Sequence, residues 1–473
     1  MLAAECAPIA KVGGLGDVVG ALPKELEKIG LDVRIILPFY GLIDRKKYPA
    51  RLIKKQLAIS GRERINLYVT KLPGSSVSVY LLEHRLFAGK YIYRHNPAAG
   101  RNKNLQDGKK FSFYCRASLV TAKYLGFQPD VIHIHDWHAA PTLGYLKSDY
   151  RHDPFYSKTK TLYTIHNLAN QGKVGPKIIG VSKLDPELPV IKVDLKDGDI
   201  NFMVQGILGA DLINTVSPTY AKEILSHYQG AGLERILKRK RSKLSGIING
   251  IDTIVFNPEK DRYISQRYSA KKLFKKKLNK LILQKELKLE VDPDIPLVGL
   301  ISRLVWQKGL DLVNDKLMSL PCQFVFLGTG SRLIEKRLLK LAKKYPKSFS
   351  VIIGFDPILA QKIYAGSDLF LMPSRFEPCG LGQLIAMRYG TIPLVRSTGG
   401  LADTVNSQLG FSFNKYDTAE LYATLKKALN IYNTKPKKWL KMQNIGMKKD
   451  LSWKYPAREY FKIYMKLANI KIK

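Results

Sequence analysis

What this sequence lacks narrows its class before any motif is read. It has four cysteines, Cys6, Cys115, Cys322 and Cys379, far apart and without a CxxC pair, so it has no disulfide framework of the secreted kind and reduced thiols in a cytosol or equivalent interior are expected. No uncharged apolar run approaches the roughly 18 residues that cross a bilayer, and the chain reads as soluble. The amino end, MLAAECAPIAK, carries no basic segment before an apolar core and no Arg- and Ser-rich amphipathic stretch. Neither a signal nor a transit peptide is read there, and the expected location is cytoplasmic, or a plastid stroma for an organelle-encoded chain. Acidic residues are few: 39 Asp and Glu face 78 Lys and Arg, a formal charge of +39. Such a surplus suits nucleic acid, an acidic surface or an anionic substrate. The lysines are scattered, however, and the runs KRKRSK (Lys238 to Lys243) and KKLFKKKLNK (Lys271 to Lys280) have no interleaved aromatic series. A solvated face is the simpler reading, and neither a nucleic-acid nor a membrane partner is expected.

What is present is a regular alternation. A length of 473 residues predicts two or three domains at roughly one per 150 residues. Apolar strand-like runs (DVRIILP, SVSVYLLE, DVIHIHDW, TLYTIHN, ADLINTVS) alternate with helix-like segments, and a second series (PLVGLISRL, QFVFLGTG, FSVIIGF, DLFLMPS, TIPLVRS) begins near Pro296. The fold class is therefore α/β, with two doubly wound domains. The turn-rich GIINGIDTIVFNPEKDRYI marks the linker, which places the domains at residues 1–248 and 249–455. Residues 456–473, after Pro456, form an aromatic-rich helix able to pack on either domain. Ligands of open α/β sheets sit beyond the carboxyl ends of the strands, so two facing sheets would enclose an interdomain cleft.

Four stretches carry chemistry. KVGGLGDVV, Lys11 to Val19, opens a helix and would aim backbone N–H groups at an anion. It lacks the GK[ST] of a P-loop and, read from Gly14, has Val19 where the dinucleotide fingerprint needs Gly or Ala. A plain turn remains the alternative, with Lys11 favouring an anion. HIHDWH, His133 to His138, tempts a metal reading, but no further cluster supplies an obvious fourth ligand and a polar strand end is simpler. Alternation puts His133 and His135 on one face. His166, in TIHN, reads alone as a satisfied buried histidine.

SRLVWQKG places Arg303 and Lys308 five residues apart at a strand-to-helix transition; two fixed cations suit a diphosphate, against surface solvation as the alternative. RFEPCGLGQ puts Glu377 before a glycine turn and a helix, where a carboxylate also serves as a cap. Cys379 is read as a small buried residue.

Jointly and in this order, KVGGLGDVVGALP, HDWHA, TIHNLANQG, NTVSPTYAKEI, NGID, SRLVWQKG, PSRFEPCGL and STGGLADTV resemble the glycogen and starch synthase family over essentially the whole chain. The resemblance implies a GT-B architecture, two Rossmann-like domains facing an interdomain cleft. It implies transfer of glucose from ADP-glucose to the non-reducing end of an α-1,4-glucan, glycogen or starch, with retention of configuration and no metal or other cofactor. It implies that Lys11, Gly13 and Gly14 hold the diphosphate from one domain and Arg303 and Lys308 from the other. Glu377 and the backbone of Cys379, Gly380 and Leu381 would position the glucose; His166 and Asp136 would line the sugar; Asn249 and Gln307 would be supporting contacts. Cations from both halves imply domain closure.

Three departures accompany the resemblance. Only Met1 to Ala4 precede Glu5, which would cut the central first strand short; an intact mass of the native protein would distinguish an upstream start from an abbreviated strand. Gly382 stands where Thr or Ser is common, and Ile385 where related enzymes carry a second Glu. Asp197-Gly-Asp199 lies outside the motifs and is read as a loop. The alternatives are a retaining GT-B enzyme using UDP-glucose, an inactive glucan-binding homologue and a nonspecific nucleic-acid binder.

Overall fold

A computed structural model describes residues 1–93 and 100–470, with side chains described for 1–93 and 105–470. Residues 471–473 of the expected terminal helix lie outside the described residues. The chain divides into two compact units. The amino-terminal unit comprises Met1–Val216, Ala221–Asn249 and Trp453–Lys473, and the carboxyl-terminal unit Ser217–Tyr220 and Gly250–Ser452.

The strands of the amino-terminal unit are β1 (Arg34–Pro38), β2 (Arg51–Ser60), β3 (Glu63–Lys71), β4 (Ser78–Glu83), β5 (Val131–His135), β6 (Lys160–Ile165), β7 (Lys173–Val174), β8 (Ile200–Asn201), β9 (Leu212–Thr215) and β10 (Leu244–Gly246). They form sheets of order β1-β4-β3-β2 and β10-β9-β6-β5, with β7 and β8 paired separately. The expected first strand is reduced to a single position: Leu2 makes parallel bridges to Ile36 and to Ile134. Its N–H donates to His133 O at 2.8 Å, and its carbonyl accepts from His135 N at 3.1 Å. A cavity of about 330 Å³, lined among others by Met1, Arg34, Ile36, Val131 and Tyr464, adjoins this bridge.

The first helix, Gly14–Lys28, buries Val18, Leu22 and Leu26, the i, i+4, i+8 stripe that a 3.6-residue period puts on one face. Pro23 lies inside it and has no N–H to return to the previous turn; the carbonyl of Val19 takes the Cys6 thiol instead, at 3.6 Å. Packed on that stripe is the last helix, Lys454–Ala468, which places Ala457, Tyr460, Tyr464 and Leu467, with the preceding Trp453, in the same apolar cluster. The terminal helix thus belongs to the amino-terminal unit.

The carboxyl-terminal unit has β11 (Leu297–Ile301), β12 (Gln323–Gly328), β13 (Phe349–Ile353), β14 (Leu369–Met372), β15 (Ile392–Arg396) and β16 (Phe411–Phe413). Their order is β13-β12-β11-β14-β15-β16, parallel throughout. Helices cover both faces of such a sheet, so its strands read as continuous apolar runs; every residue of β12 is buried. Ile385 packs in an apolar cluster with Tyr364, Phe370 and Leu384, surroundings that suit the aliphatic side chain and would penalise a carboxylate. The SPTY and STGGLADTV motifs meet at Asp403, whose carboxylate accepts from Ser217 Oγ at 2.5 Å, Thr219 N at 3.0 Å and Thr219 Oγ1 at 2.6 Å.

Candidate active site

In the carboxyl-terminal unit the functional side chains lie on connections that leave the carboxyl ends of β11 and β14. After β11 come the exposed Arg303 and a 3-10 turn, Trp306–Lys308. The turn closes on Gly309 at φ +67°, where a Cβ would stand 1.9 Å from Pro373 O, so only glycine lets the two connections approach. After β14, Ser374 and Glu377 face that turn. Lys308 Nζ donates to Glu377 Oε2 at 2.5 Å and Ser374 Oγ to the same oxygen at 3.1 Å. The pair is largely withdrawn from water, with side chains 17% and 8% exposed. The connections are laced together: Arg375 N donates to Gln307 O at 2.9 Å and Gln307 Nε2 to Phe376 O at 3.2 Å. Arg303 forms no ion pair among the described residues.

A third connection, after β15, braces the backbone of Glu377. Gly400 N donates to Glu377 O at 3.1 Å, and Gly399, at φ +47°, would put a Cβ 2.0 Å from that carbonyl. Gln383 Nε2 donates to Cys379 O at 3.1 Å and Gly380 O at 2.8 Å, holding the turn before the Gly382–Arg388 helix, whose cap is Leu381. Cys379 is buried. Arg303, Gln307, Lys308, Glu377, Cys379, Gly380 and Leu381 are therefore gathered at one end of one sheet. Lys308, expected with Arg303 to hold a diphosphate, is here paired with Glu377.

In the amino-terminal unit the glycine loop is organised by Glu5. Its Oε2 accepts from Val12 N at 2.6 Å and Gly13 N at 2.7 Å, and its Oε1 accepts from Tyr93 OH at 2.6 Å. The Gly13 amide, expected to help hold a diphosphate, is here bonded to a carboxylate of the same chain. Gly14 begins the helix, with no atom within 4 Å of where its Cβ would be. Lys11 is part-exposed and paired with Asp17 at 2.6 Å.

Asp136 and His166 stand together at the ends of β5 and β6. Asp136 adopts φ 56°, and its Oδ1 accepts from His166 N at 2.8 Å. Burial pushes its carboxyl up to about 7, while burial lowers the His166 imidazole to about 3. Alternation does put His133 and His135 side by side, ring centroids 4.0 Å apart. Their nitrogens are engaged within the protein: His133 with Tyr464 OH at 2.7 Å and Thr164 Oγ1 at 2.6 Å, His135 Nδ1 with His166 Nε2 at 3.0 Å. Asn249 is buried, its Oδ1 without a partner among the described residues.

Asp197-Gly-Asp199 spans the end of a 3-10 turn and Gly198 at φ 84°. With Asp194 it brings three carboxylates within 4.8 Å of one another; Lys173 Nζ stands 3.9 Å from Asp199 Oδ2. Sequence reasoning missed Glu5, Ser374 and His135 as site residues. A buried-type position filled by Glu just ahead of a glycine loop was the available signal for the first; the other two had none beyond their motifs.

Two α/β units, one on an all-parallel sheet and one on mixed sheets with parallel pairs, carrying cations and a carboxylate at strand carboxyl ends, define a GT-B glycosyltransferase. The starch synthase catalytic domain profile matches residues 1–239 and that of glycosyl transferases group 1 matches residues 282–443. The glycogen synthase of Thermotoga maritima is 43% identical over 480 residues, covering 98% of this chain and 97% of that one. The catalytic domain of starch synthase IV from Arabidopsis thaliana, solved with ADP and acarbose, matches with a TM-score of 0.90 at 33% identity, covering 99% and 98% of the two chains. Sucrose-phosphate synthase from Thermosynechococcus elongatus shares the fold, with a TM-score of 0.60 at 16% identity over 98% of each chain. The chain belongs to the glycogen and starch synthase family. Among the described residues, no helix is long and apolar enough to cross a membrane.

Proposed function

We propose that the chain transfers glucose from ADP-glucose to the non-reducing end of an α-1,4-glucan with retention of anomeric configuration. The observation that carries the reading is the Lys308–Glu377 pair, with Arg303 on the same connection as Lys308, at the carboxyl ends of parallel strands. As the glycosidic bond breaks, negative charge grows on the departing diphosphate. Arg303 meets it as a free cation, and Lys308 shifts its hydrogen bonding from Glu377 toward it, an interaction stronger in the transition state than in the ground state. The Glu377 charge thereby released faces the developing oxocarbenium. These cations supply the charge neutralisation, so the transfer needs no metal.

Burial raises the Asp136 carboxyl to about 7, which disfavours its ionised form. That weakens it as a covalent nucleophile and favours same-face attack, with the leaving phosphate taking the acceptor's proton. Trp137, Asn170, Gln171 and Lys173 line a cavity of about 390 Å³, whose aromatic surface and amides suit a glucan chain.

The test is transfer from ADP-, UDP- and GDP-glucose to glycogen, with the anomeric configuration of the product read by NMR. ADP-glucose is expected to give the highest kcat/KM and an α-linked product. Preference for UDP-glucose, or no transfer from any donor, overturns the reading.

A further inference from the structure

We infer that His135 is a positioning residue that fixes which nitrogen of His166 carries the proton, so that His166 presents Nδ1–H to the sugar. This rests on the proposed function only for the sugar; the hydrogen-bond relation stands on the geometry and burial of the two rings. His135 Nδ1 and His166 Nε2 lie 3.0 Å apart in a site where both rings are buried. Burial lowers both imidazoles below their ordinary range, so the two rings are neutral and share one proton across that contact. One nitrogen donates and the other accepts.

The rest of His135 decides the direction. Its Nε2 is buried without a partner among the described residues. If His166 Nε2–H donated to His135 Nδ1, the single proton of the His135 ring would sit on Nε2, an orphaned buried donor, which native structures avoid. If His135 Nδ1–H donates instead, only an unprotonated lone pair is left at Nε2. His166 Nε2 is then the acceptor and its proton resides on Nδ1, which, unlike His135 Nε2, is not a fully buried atom and so is open to a ligand.

His135 is itself held in place. His133 packs against its ring and is anchored through Nδ1 by Tyr464 of the last helix and through Nε2 by Thr164 of β6. Thr164 Oγ1 donates on to Asn214 Oδ1, and Asn214 Nδ2 donates to Tyr460 OH at 2.9 Å. This buried chain resists rotation of the first ring, and the first ring limits the second, as outer partners orient ligand histidines elsewhere. On the backbone side, Asp136 Oδ1 holds His166 N, so the position and the tautomer of His166 are set by two consecutive residues of one motif.

The experiment compares the full-length protein with His135→Leu, which removes the donor, and His135→Asn, whose amide nitrogen takes the place of Nδ1. Long-range proton–nitrogen NMR on histidine-labelled protein reads the His166 tautomer without any substrate, and thermal melts confirm folding. The expected result is Nδ1–H at His166 in the parent and in His135→Asn, and Nε2–H in His135→Leu. Turnover should fall roughly ten- to a hundredfold in His135→Leu with little change in donor KM, and His135→Asn should recover most of it. Nε2–H in the parent, or the same tautomer in all three proteins, overturns the inference. A tautomer that switches while transfer stays undiminished upholds the positioning and overturns the contact between His166 and the sugar in the proposed function.

Discussion

Lys308 and Glu377 are bonded to each other, 2.5 Å between Nζ and Oε2, across two connections 69 residues apart in the chain. In the proposed function, a cation and an anion that neutralise each other at rest become separate tools once a diphosphate competes for the lysine. Replacing Glu377 by Ala is expected to lower transfer by about 10²–10³, with the circular dichroism spectrum unchanged. Near-parental turnover in that variant removes Glu377 from the site.

Glu5 substitutes for an external anion at the glycine loop. Glu5→Gln keeps an oxygen for the Val12 and Gly13 amides, whereas Glu5→Ala removes it at a cost of about 1–3 kcal/mol for each donor left without water or protein. Amide exchange at Val12 and Gly13 should accelerate in the Ala variant and the donor KM rise, with both near parental values in the Gln variant. Equal behaviour of the two variants would show that the carboxylate does not order the loop.

Gly399 combines a positive φ with a carbonyl where a Cβ would go. Gly399→Ala must shift the backbone of Glu377, and a loss of more than about 2 kcal/mol in denaturant unfolding is expected, accompanied by loss of transfer. An unchanged unfolding midpoint would mean the β15 connection yields freely.

Acid should destabilise the amino-terminal unit. Burial lowers His166 to about 3 and His133, His135 and His138 well below 6.5, so unfolded chains bind more protons. Their contribution is complete above pH 6.5 and is lost as pH falls from there toward 3. Asp136 and Asp194, raised from 3.8 to about 7, act oppositely, adding stability at low pH that fades as pH rises from 3.8 through 7. The lowered bases outnumber the raised acids, so stability is expected to fall on balance between about pH 6 and 4. Denaturant midpoints measured from pH 7.5 to 4.5 should fall steadily; a flat profile contradicts it.

The carboxyl-terminal sheet was legible where its strands are buried on two faces, because PLVGLISRL and QFVFLGTG are largely apolar runs bounded by turn residues. The β2–β3 hairpin was not. Its strands pair antiparallel with register shifts, Gln56 sits at φ 52°, and the exposed Lys54, Lys55 and Gln56 interrupt the alternation on which a half-buried strand is recognised. At the site, residue types and order sufficed to nominate Arg303, Lys308 and Glu377. Their pairing was hidden, because ion pairs between connections are made by tertiary approach, and that approach depends on Gly309 and Gly399 having no side chain. The Glu5 contact to Gly13 was hidden for a related reason: a loop amide looks available until the acceptor that folds against it is known.

The last helix covers Val18, Leu22 and Leu26 of the first, and the chain between them builds the other unit, Gly250–Ser452. On the ribosome, the unit that is begun first is therefore finished last. Its apolar stripe waits uncovered while those intervening residues are made, roughly 10–40 s at about 5–20 residues per second, a window in which a chaperone has something to hold and a truncated transcript yields an unfinished core.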